Sequence, residues 1–142
     1  MLFSDNIKPD FEYTGNDAFI DFIHRTTPNT EIYFICNSNN RNEKVDCTFR
    51  TASCIPEIWN PVNGEHKNAN AYIIANGKTT IPLAFEPHQS WFIIFNKLNV
   101  AKRSSVSGAN FTKLSQVEEL TGAWNVKFDP KWGGPEAGYS VP

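Results

Sequence analysis

The amino-acid sequence predicts an all-β protein built on an antiparallel β-sandwich. About seven short runs either alternate between apolar and polar residues or are apolar throughout, as strands do. Turn-forming residues, chiefly Gly, Pro and Asn, separate these runs, and only residues 113–120 show a weak helical spacing. Short strands joined by such turns are typical of a sandwich.

Length and composition fit this class. The chain has 142 residues, of which 40% are apolar and 20% are charged, so it can form a packed core of ordinary domain size. The net charge is −2 and there is no long basic run, so we expect no nucleic-acid partner. No apolar stretch approaches the roughly 20 residues that span a bilayer. Residues 1–11 lack the features of a secretory signal, and we expect no membrane partner.

The predicted strands follow one another closely. They lie at 19–25, 31–37, 44–52, 56–65, 71–75, 78–86 and 90–97, the fourth running on into turns. The run 44–52 alternates most clearly between an apolar and a polar face. The link SNNRNE that precedes it is rich in turn formers, so the sequence predicts a hairpin between 31–37 and 44–52.

Three further positions predict the course of the backbone. Asn76-Gly77, between two strand-like runs, is the strongest short hairpin signal in the chain, and Asn63-Gly64 suits a tight turn with positive φ. Pro82 lies within a predicted strand. Because proline donates no backbone hydrogen bond, it predicts an edge position or a bulge there.

Two predicted strands are apolar on both faces. Residues 32–36 and 91–95 break the usual pattern of one buried and one solvated face. Either loops cover these strands, or their outer face packs on something outside this chain. An apolar surface of this kind usually marks an interface.

The two ends of the chain are predicted to lie outside the sandwich. Residues 1–18 are polar and irregular and predict an arm, while 98–117 have the composition of a linker. After the linker, Trp124, Val126 and Phe128 alternate as a strand, and a single strand cannot bury itself. We therefore expect a sandwich at 19–97 and, at 118–142, the first strand of a second β domain that is cut off.

The cysteines do not suggest a metal centre. Cys36, Cys47 and Cys54 show neither CxxC spacing nor a neighbouring histidine at zinc-ligand spacing, so no metal site is predicted. Cys36 and Cys47 could form a disulfide between facing strands. The favoured interpretation is that they are buried free thiols.

Several phrases, in a fixed order, carry a resemblance to a known family. They are PDFEY (9–13), DFIHR (21–25), EIYFICN (31–37), PEIWNPVNGE (56–65), TTIPLAFEPHQSWFIIF (79–95) and LTGAWNVKFDPKWGGP (120–135). Together they resemble the C-terminal part of bacterial glycoside hydrolases of the α-L-rhamnosidase type, glycoside hydrolase family 106. The fourth and fifth phrases resemble accessory sandwiches of many glycosidases. IHR and the last phrase are more specific and resemble the rhamnosidase-like group.

The resemblance implies a place in a longer enzyme. It implies that 1–18 leave a catalytic barrel that is missing here and that 19–97 are the adjoining sandwich. Residues 118–142 would begin a domain that resembles galactose-binding domains and the sugar-binding domain of family 2 glycosidases. The expected partner is the catalytic barrel or the product of a split gene. The family is periplasmic or extracellular.

The sequence predicts no catalytic residue and no cofactor. Glycoside hydrolysis needs two carboxylates facing each other across a pocket, and the Asp and Glu residues lie mostly in polar, turn-like sequence. His24 and Arg25, near the expected barrel junction, are the candidate substrate-binding residues. They could line a sugar pocket or brace a carboxylate, or they could form a structural ion pair.

Three functions remain open at this point. The first is a non-catalytic sandwich that buttresses the barrel of the parent enzyme and is inactive alone. The second is a free-standing carbohydrate-binding module for a plant or microbial polysaccharide, for which Trp59, Trp91, Trp124 and Trp132 are candidates, although packing is the favoured role of all four. The third is a purely structural interaction domain.

Overall fold

The computed structural model describes residues 9–15, 17–101, 103–112, 121–133 and 139–141. The chain divides into two compact units, Met1–Thr112 and Lys113–Pro142. The described residues form strands, turns and one short 3₁₀ helix at Pro130–Trp132, with no α-helix among them. The predicted all-β class is therefore confirmed.

Ten strands build the first unit. They are β1 (Phe11–Thr14), β2 (Ile20–Thr26), β3 (Thr30–Asn37), β4 (Glu43–Phe49), β5 (Cys54–Trp59), β6 (His66–Asn68), β7 (Ala71–Ala75), β8 (Lys78–Phe85), β9 (Ser90–Val100) and β10 (Ser105–Val106). Sheet I has the order β1-β4-β8-β7-β10, and sheet II has the order β2-β3-β9-β5-β6. All neighbouring strands are antiparallel, as predicted.

The core lies between the two sheets. Sheet II contributes Tyr33, Ile35 and Phe95, and sheet I contributes Phe49 and Ile81, all of them fully buried. The rings of this core touch at several angles, which is how aromatic side chains usually pack. A sandwich with one shared core is therefore the observed architecture.

The predicted hairpin between 31–37 and 44–52 is wrong. Strand β3 pairs with β2 and β9 in sheet II, whereas β4 pairs with β1 and β8 in sheet I. The link therefore crosses from one sheet to the other. Turn-forming residues specify a sharp change of direction, but they do not specify whether the next strand pairs with the last one.

The buried amide of Asn37 holds this crossing in place. Its Nδ2 donates to the backbone oxygens of Arg41 and Glu86 at 2.8 and 3.0 Å, and its Oδ1 accepts from the Asn39 N–H at 3.0 Å. A buried polar side chain is stable only when its hydrogen-bonding groups have partners. Asn37 thereby joins the crossover to the end of β8.

The predicted hairpin at Asn76-Gly77 is confirmed. Ala75 pairs with Lys78, so the loop has two residues, and both have positive φ, 53° for Asn76 and 76° for Gly77. These dihedral angles match the tight turn that suits the twist of the flanking strands. Here the local sequence determines the structure.

Strand β8 is interior in the order of sheet I, but Pro82 lies at a local edge, as the sequence predicted, because only β4 pairs with β8 at that point. Strand β8 is between β4 and β7, but its pairing with β7 ends at Thr80. Beyond that point the buried side chain of Asn110 takes the place of a neighbouring strand. It accepts from the Ala71 N–H at 2.8 Å and donates to the oxygens of Ala71 and Pro82 at 2.8 and 3.0 Å.

The sandwich extends beyond 19–97 at both ends. Strand β1 lies in the predicted arm and pairs with β4, and β10 lies in the predicted linker and pairs with β7. Both are edge strands of two to four residues, so alternation in the sequence was too short to reveal them. Phe11 is nevertheless buried in the core.

The second unit contains one strand pair among its described residues. Strand β11 (Trp124–Val126) pairs antiparallel with β12 (Tyr139–Val141). The predicted strand at Trp124 is observed, although it ends before Phe128. The helical spacing at 113–120 lies outside the described residues, and the further domain expected at 118–142 stays a prediction.

All three cysteines are free thiols. Cys47 points into the core from β4, while Cys36 lies half-buried on the outer face of β3 in the other sheet. Burial raises the pKa of the Cys47 thiol, which keeps it protonated and unreactive. The favoured interpretation of free thiols is thus what the structure has.

Candidate functional site

His24 and Arg25 point in opposite directions. They are neighbours on β2, and successive side chains of a strand lie on opposite faces. His24 faces inward and is half-buried, whereas Arg25 is exposed and its Nη1 donates to the backbone oxygen of His24 at 3.3 Å. The structure does not bring the two predicted residues together into one site.

His24 lies between two carboxylates. Its Nδ1 is 2.7 Å from Oδ2 of Asp10, and its Nε2 is 2.9 Å from Oε2 of Glu31. Both ring nitrogens can donate at once only when both carry a proton, so this geometry suits the imidazolium form. The ring also stacks on Tyr33, with 3.9 Å between centroids and 5° between planes.

Further charges surround these three residues. Arg50 Nη2 is 3.1 Å from Oδ1 of Asp10, and Lys97 Nζ is 2.8 Å from Oε1 of Glu31. Thr26 Oγ1 donates to Glu31 at 2.6 Å. We call the group the His24 cluster, and its members are Asp10, His24, Thr26, Glu31, Tyr33, Arg50 and Lys97.

The cluster is assembled from distant parts of the chain. Asp10 precedes β1, His24 lies on β2, Glu31 lies near the start of β3, Arg50 follows β4, and Lys97 lies on β9. Strands β1 and β4 belong to sheet I and the others to sheet II, so the cluster joins the two sheets at one end of the sandwich.

The cluster shifts the pKa values of Glu31 and Tyr33 in opposite directions. Burial alone would raise the pKa of the Glu31 carboxyl, but hydrogen bonds from Lys97, Thr26 and His24 outweigh it and hold the pKa below its ordinary value. Burial and the negative charge of Asp10 raise the pKa of Tyr33, which stays a neutral phenol. The site therefore stabilises the ionised form of Glu31 and the neutral form of Tyr33.

Sequence reasoning found His24 but missed its partners. Asp10 lies in the predicted arm, and Glu31 is the first residue of a predicted strand. The DFIHR phrase drew attention to His24, but nothing in the local sequence places Asp10 beside it. Among the described residues, no group of three His, Cys, Asp or Glu side chains could hold a metal ion.

A concave site, separate from the His24 cluster, lies beside the hairpin of β5 and β6. This cleft has a volume of about 630 Å³, and its lining side chains include those of Asn60, Asn63, Glu65, His66, Lys67 and Trp91. Trp91 is half-buried, and its Nε1 donates to the Ala84 oxygen at 3.0 Å. An aromatic side chain with amides, a carboxylate and a cation is the kind of lining that polar ligands use.

The four tryptophans differ in exposure. Trp91 packs against the core, as favoured from the sequence, while 37% of Trp59 is exposed and its ring stacks on His66. In the second unit, Trp124 and Trp132 are exposed. Packing was the favoured role of all four, and the structure shows it clearly for Trp91 alone.

Comparison with known proteins gives these sites their context. The sequence model of the alpha-L-rhamnosidase family, glycoside hydrolase family 106, matches residues 1–74. This chain belongs to that family. The match includes Asp10, His24, Glu31 and Arg50 of the His24 cluster, so those residues lie within the part of the chain that the family shares.

Two relatives of this rhamnosidase-family chain are much longer than it is. A putative beta-glucuronidase of Formosa agariphila is 32% identical over 109 residues, which cover 75% of this chain and 9% of that protein. The structure of a rhamnosidase from a Novosphingobium species matches with a TM-score of 0.73 and 27% identity, and the match covers 99% of this chain and 13% of that one. The chain therefore spans about a tenth of the length of the relatives that it matches.

Proposed function

We propose that this chain is a non-catalytic β-sandwich module of a rhamnosidase-type glycoside hydrolase and that it supports the catalytic part of the enzyme. The observation that carries the proposal is the arrangement of Asp10, His24 and Glu31. The cluster brings two carboxylates near each other, but both of them bind the ring of His24, an arrangement that favours a role in stabilising the fold. The chain matches only a small part of the length of its relatives, which also supports a non-catalytic role.

The cluster is unsuited to glycoside hydrolysis. That reaction needs two carboxyl groups about 5 to 10 Å apart with a sugar or a water between them, and here the imidazole of His24 occupies that space. One of the two groups must also act as an acid, which requires a raised pKa. The pKa of Glu31 is lowered instead. Both features favour a structural role.

The cluster can hold the start of the sandwich in a fixed direction. Asp10 accepts hydrogen bonds from His24 and Arg50, which lie in different sheets, immediately before β1 begins. In a longer enzyme, a chain segment that comes from a catalytic barrel would therefore enter the sandwich in a defined direction. We propose this barrel as the partner that the module buttresses, in an enzyme that acts in the periplasm or outside the cell.

An activity assay tests the non-catalytic role. The purified chain is incubated with an aryl α-L-rhamnoside, with an intact rhamnosidase of the same family as the positive control. We expect no release of the aryl group above that in buffer. Hydrolysis by the chain that disappears in the Asp10→Asn and Glu31→Gln variants would show that the cluster is catalytic and would overturn the proposal.

A second candidate function is carbohydrate binding, and the cleft beside β5 and β6 favours it. Trp91 offers an apolar surface, and Lys67, Glu65 and the two asparagines offer donors and acceptors for hydroxyl groups. Titration with a rhamnose-containing oligosaccharide would then shift the Trp91 indole N–H signal in NMR spectra. Lys67→Met should abolish the shift, whereas Lys97→Met, outside the cleft, should not.

A further inference from the structure

The outer face of sheet II carries two rows of side chains that cross the strands. Strand register defines them: residues directly opposite each other on antiparallel strands share a face. The first row is Ile23, Phe34, Phe92, Trp59 and His66, on β2, β3, β9, β5 and β6. The second row, on the same strands, is Arg25, Ile32, Ile94, Glu57 and Asn68.

The first row forms a continuous apolar stripe. Ile23 is 53% exposed and Trp59 is 37% exposed, and the rings of Phe34 and Phe92 between them lie 5.0 Å apart. Trp59 stacks on His66 at 4.7 Å, which extends the stripe to the last strand. Exposed apolar surface of this kind, with polar residues around it, is characteristic of interfaces.

The second row carries opposite charges on either side of an apolar centre. Arg25 lies on β2 and Glu57 on β5, with Ile32 and Ile94 between them. Neither charge has an ion-pair partner within the part of the chain that the structure describes. Glu57 accepts a hydrogen bond from Trp59 Nε1 at 2.9 Å, which leaves its charge, like that of Arg25, available to an opposite charge on another molecule.

This pattern is complementary to itself. Consider a two-fold axis that runs parallel to the strands between β3 and β9, in the plane of contact. It places β2 of one copy over β5 of the other and β3 over β9. Arg25 then faces Glu57 of the second copy, and Phe34 faces Phe92. The dimer therefore contains two equivalent pairs of Arg25 with Glu57.

We propose that the outer face of sheet II is an isologous interface at which two copies of this chain associate. The isoleucines in both rows favour a protein partner over a polysaccharide, because aliphatic side chains pack against other side chains and do not offer flat surfaces for sugar rings. Beta sheets pack face to face at about 10 Å, so aligned sheets can bring these rows into contact.

The size of the surface predicts a weak dimer. From β2 to β5 the rows span three strand spacings, about 14 Å. A surface this small falls at or below the lower limit for stable complexes, so we expect a dissociation constant in the micromolar range or weaker.

Sedimentation velocity on the purified chain tests the interface at concentrations from about 10 µM to about 1 mM. The wild-type chain should shift from monomer towards dimer across this range. Ile23→Asp should weaken the association at least about tenfold. The matched control is Ile73→Asp on sheet I, where the side chain is 55% exposed, and it should leave the association unchanged.

Charge reversal provides the decisive comparison. Arg25→Glu and Glu57→Arg should each weaken self-association, because each places like charges opposite each other in the dimer. An equimolar mixture of the two variants should associate at least as well as wild type, since the two-fold axis then restores both opposite-charge pairs. No simple loss of folding would produce this rescue.

Two results would overturn the proposal. One is a chain that stays monomeric up to about 1 mM. The other is a dimer that responds neither to Ile23→Asp nor to charge reversal. The interface does not depend on the proposed non-catalytic role, because sedimentation and rhamnoside hydrolysis are measured separately.

Discussion

His24 Nδ1 lies 2.7 Å from a carboxylate oxygen of Asp10, 14 residues earlier in the chain. Asp10 leads into a strand of sheet I and His24 belongs to sheet II, so this hydrogen bond joins the two layers of the sandwich. A charge-assisted bond in a half-buried position is stronger than a neutral one. The imidazole ring of His24 therefore contributes to the connection between the sheets at this end, together with the Tyr33 hydroxyl, which donates to Asp10 at 3.4 Å.

Replacement of His24 by Ala should destabilise the sandwich by about 1–3 kcal/mol, because both carboxylates lose a hydrogen-bond partner in a half-buried position. Urea denaturation followed by tryptophan fluorescence measures this loss. The control is Arg25→Ala, one residue later and exposed, which should change stability by less than about 0.5 kcal/mol. Equal effects of the two substitutions would contradict a stabilising role for His24.

Acid should weaken the fold partly through Glu31. Its pKa is lowered in the folded state, so its contribution to stability is complete above the ordinary value of 4.5 and is lost as the pH falls through the lower folded value. The urea midpoint, measured between about pH 7 and about pH 3, should therefore fall less steeply in Glu31→Gln than in wild type.

The matched control for this titration is Glu86→Gln, since Glu86 has an exposed side chain with no ion pair in the described part of the chain. It should keep the wild-type slope. Hydrogen bonds from Asn39 and Arg41 also hold the pKa of Glu43 low, so some acid sensitivity should remain in Glu31→Gln. An unchanged slope in that variant would exclude Glu31 as a contributor.

Asn110 should be as important to stability as a large core residue. Its buried side chain makes hydrogen bonds to Ala71 and Pro82 where β7 separates from β8. Asn110→Ala leaves these backbone groups without a partner and should cost roughly 2–4 kcal/mol. Calorimetry should show a lower Tm. Asn70→Ala, an exposed neighbour with one side-chain bond to Ala109, should cost far less.

Thiol chemistry should distinguish Cys36 from the other two cysteines. Cys47 and Cys54 are buried and burial raises the pKa of both thiols, whereas Cys36 is half-exposed. Ellman's reagent should detect three thiols in the unfolded chain, as no disulfide is present. In the folded chain we expect reaction of Cys36 alone, with loss of that signal in Cys36→Ser. Rapid reaction of Cys47 would contradict the described core.

The sequence by itself determined the class of this fold and most of its strands. Alternation in β4 and the Asn76-Gly77 turn are local properties, because side-chain period and positive φ are set within a few residues. The family resemblance was likewise carried by phrases along the chain, and the family match over 1–74 confirmed it. The same phrases drew attention to His24, whose expected role in substrate binding stays a prediction.

The tertiary structure alone decided which strands pair and what His24 contacts. The link after β3 has the composition of a turn. That composition fits a hairpin and a crossing to the other sheet equally well. Strands β1 and β10 are too short to show a period of their own. Asp10, Glu31 and Arg50 meet around His24 only because β1 and β4, in one sheet, pack against β2 and β3 in the other. Such contacts depend on long-range register, for which local sequence carries no signal.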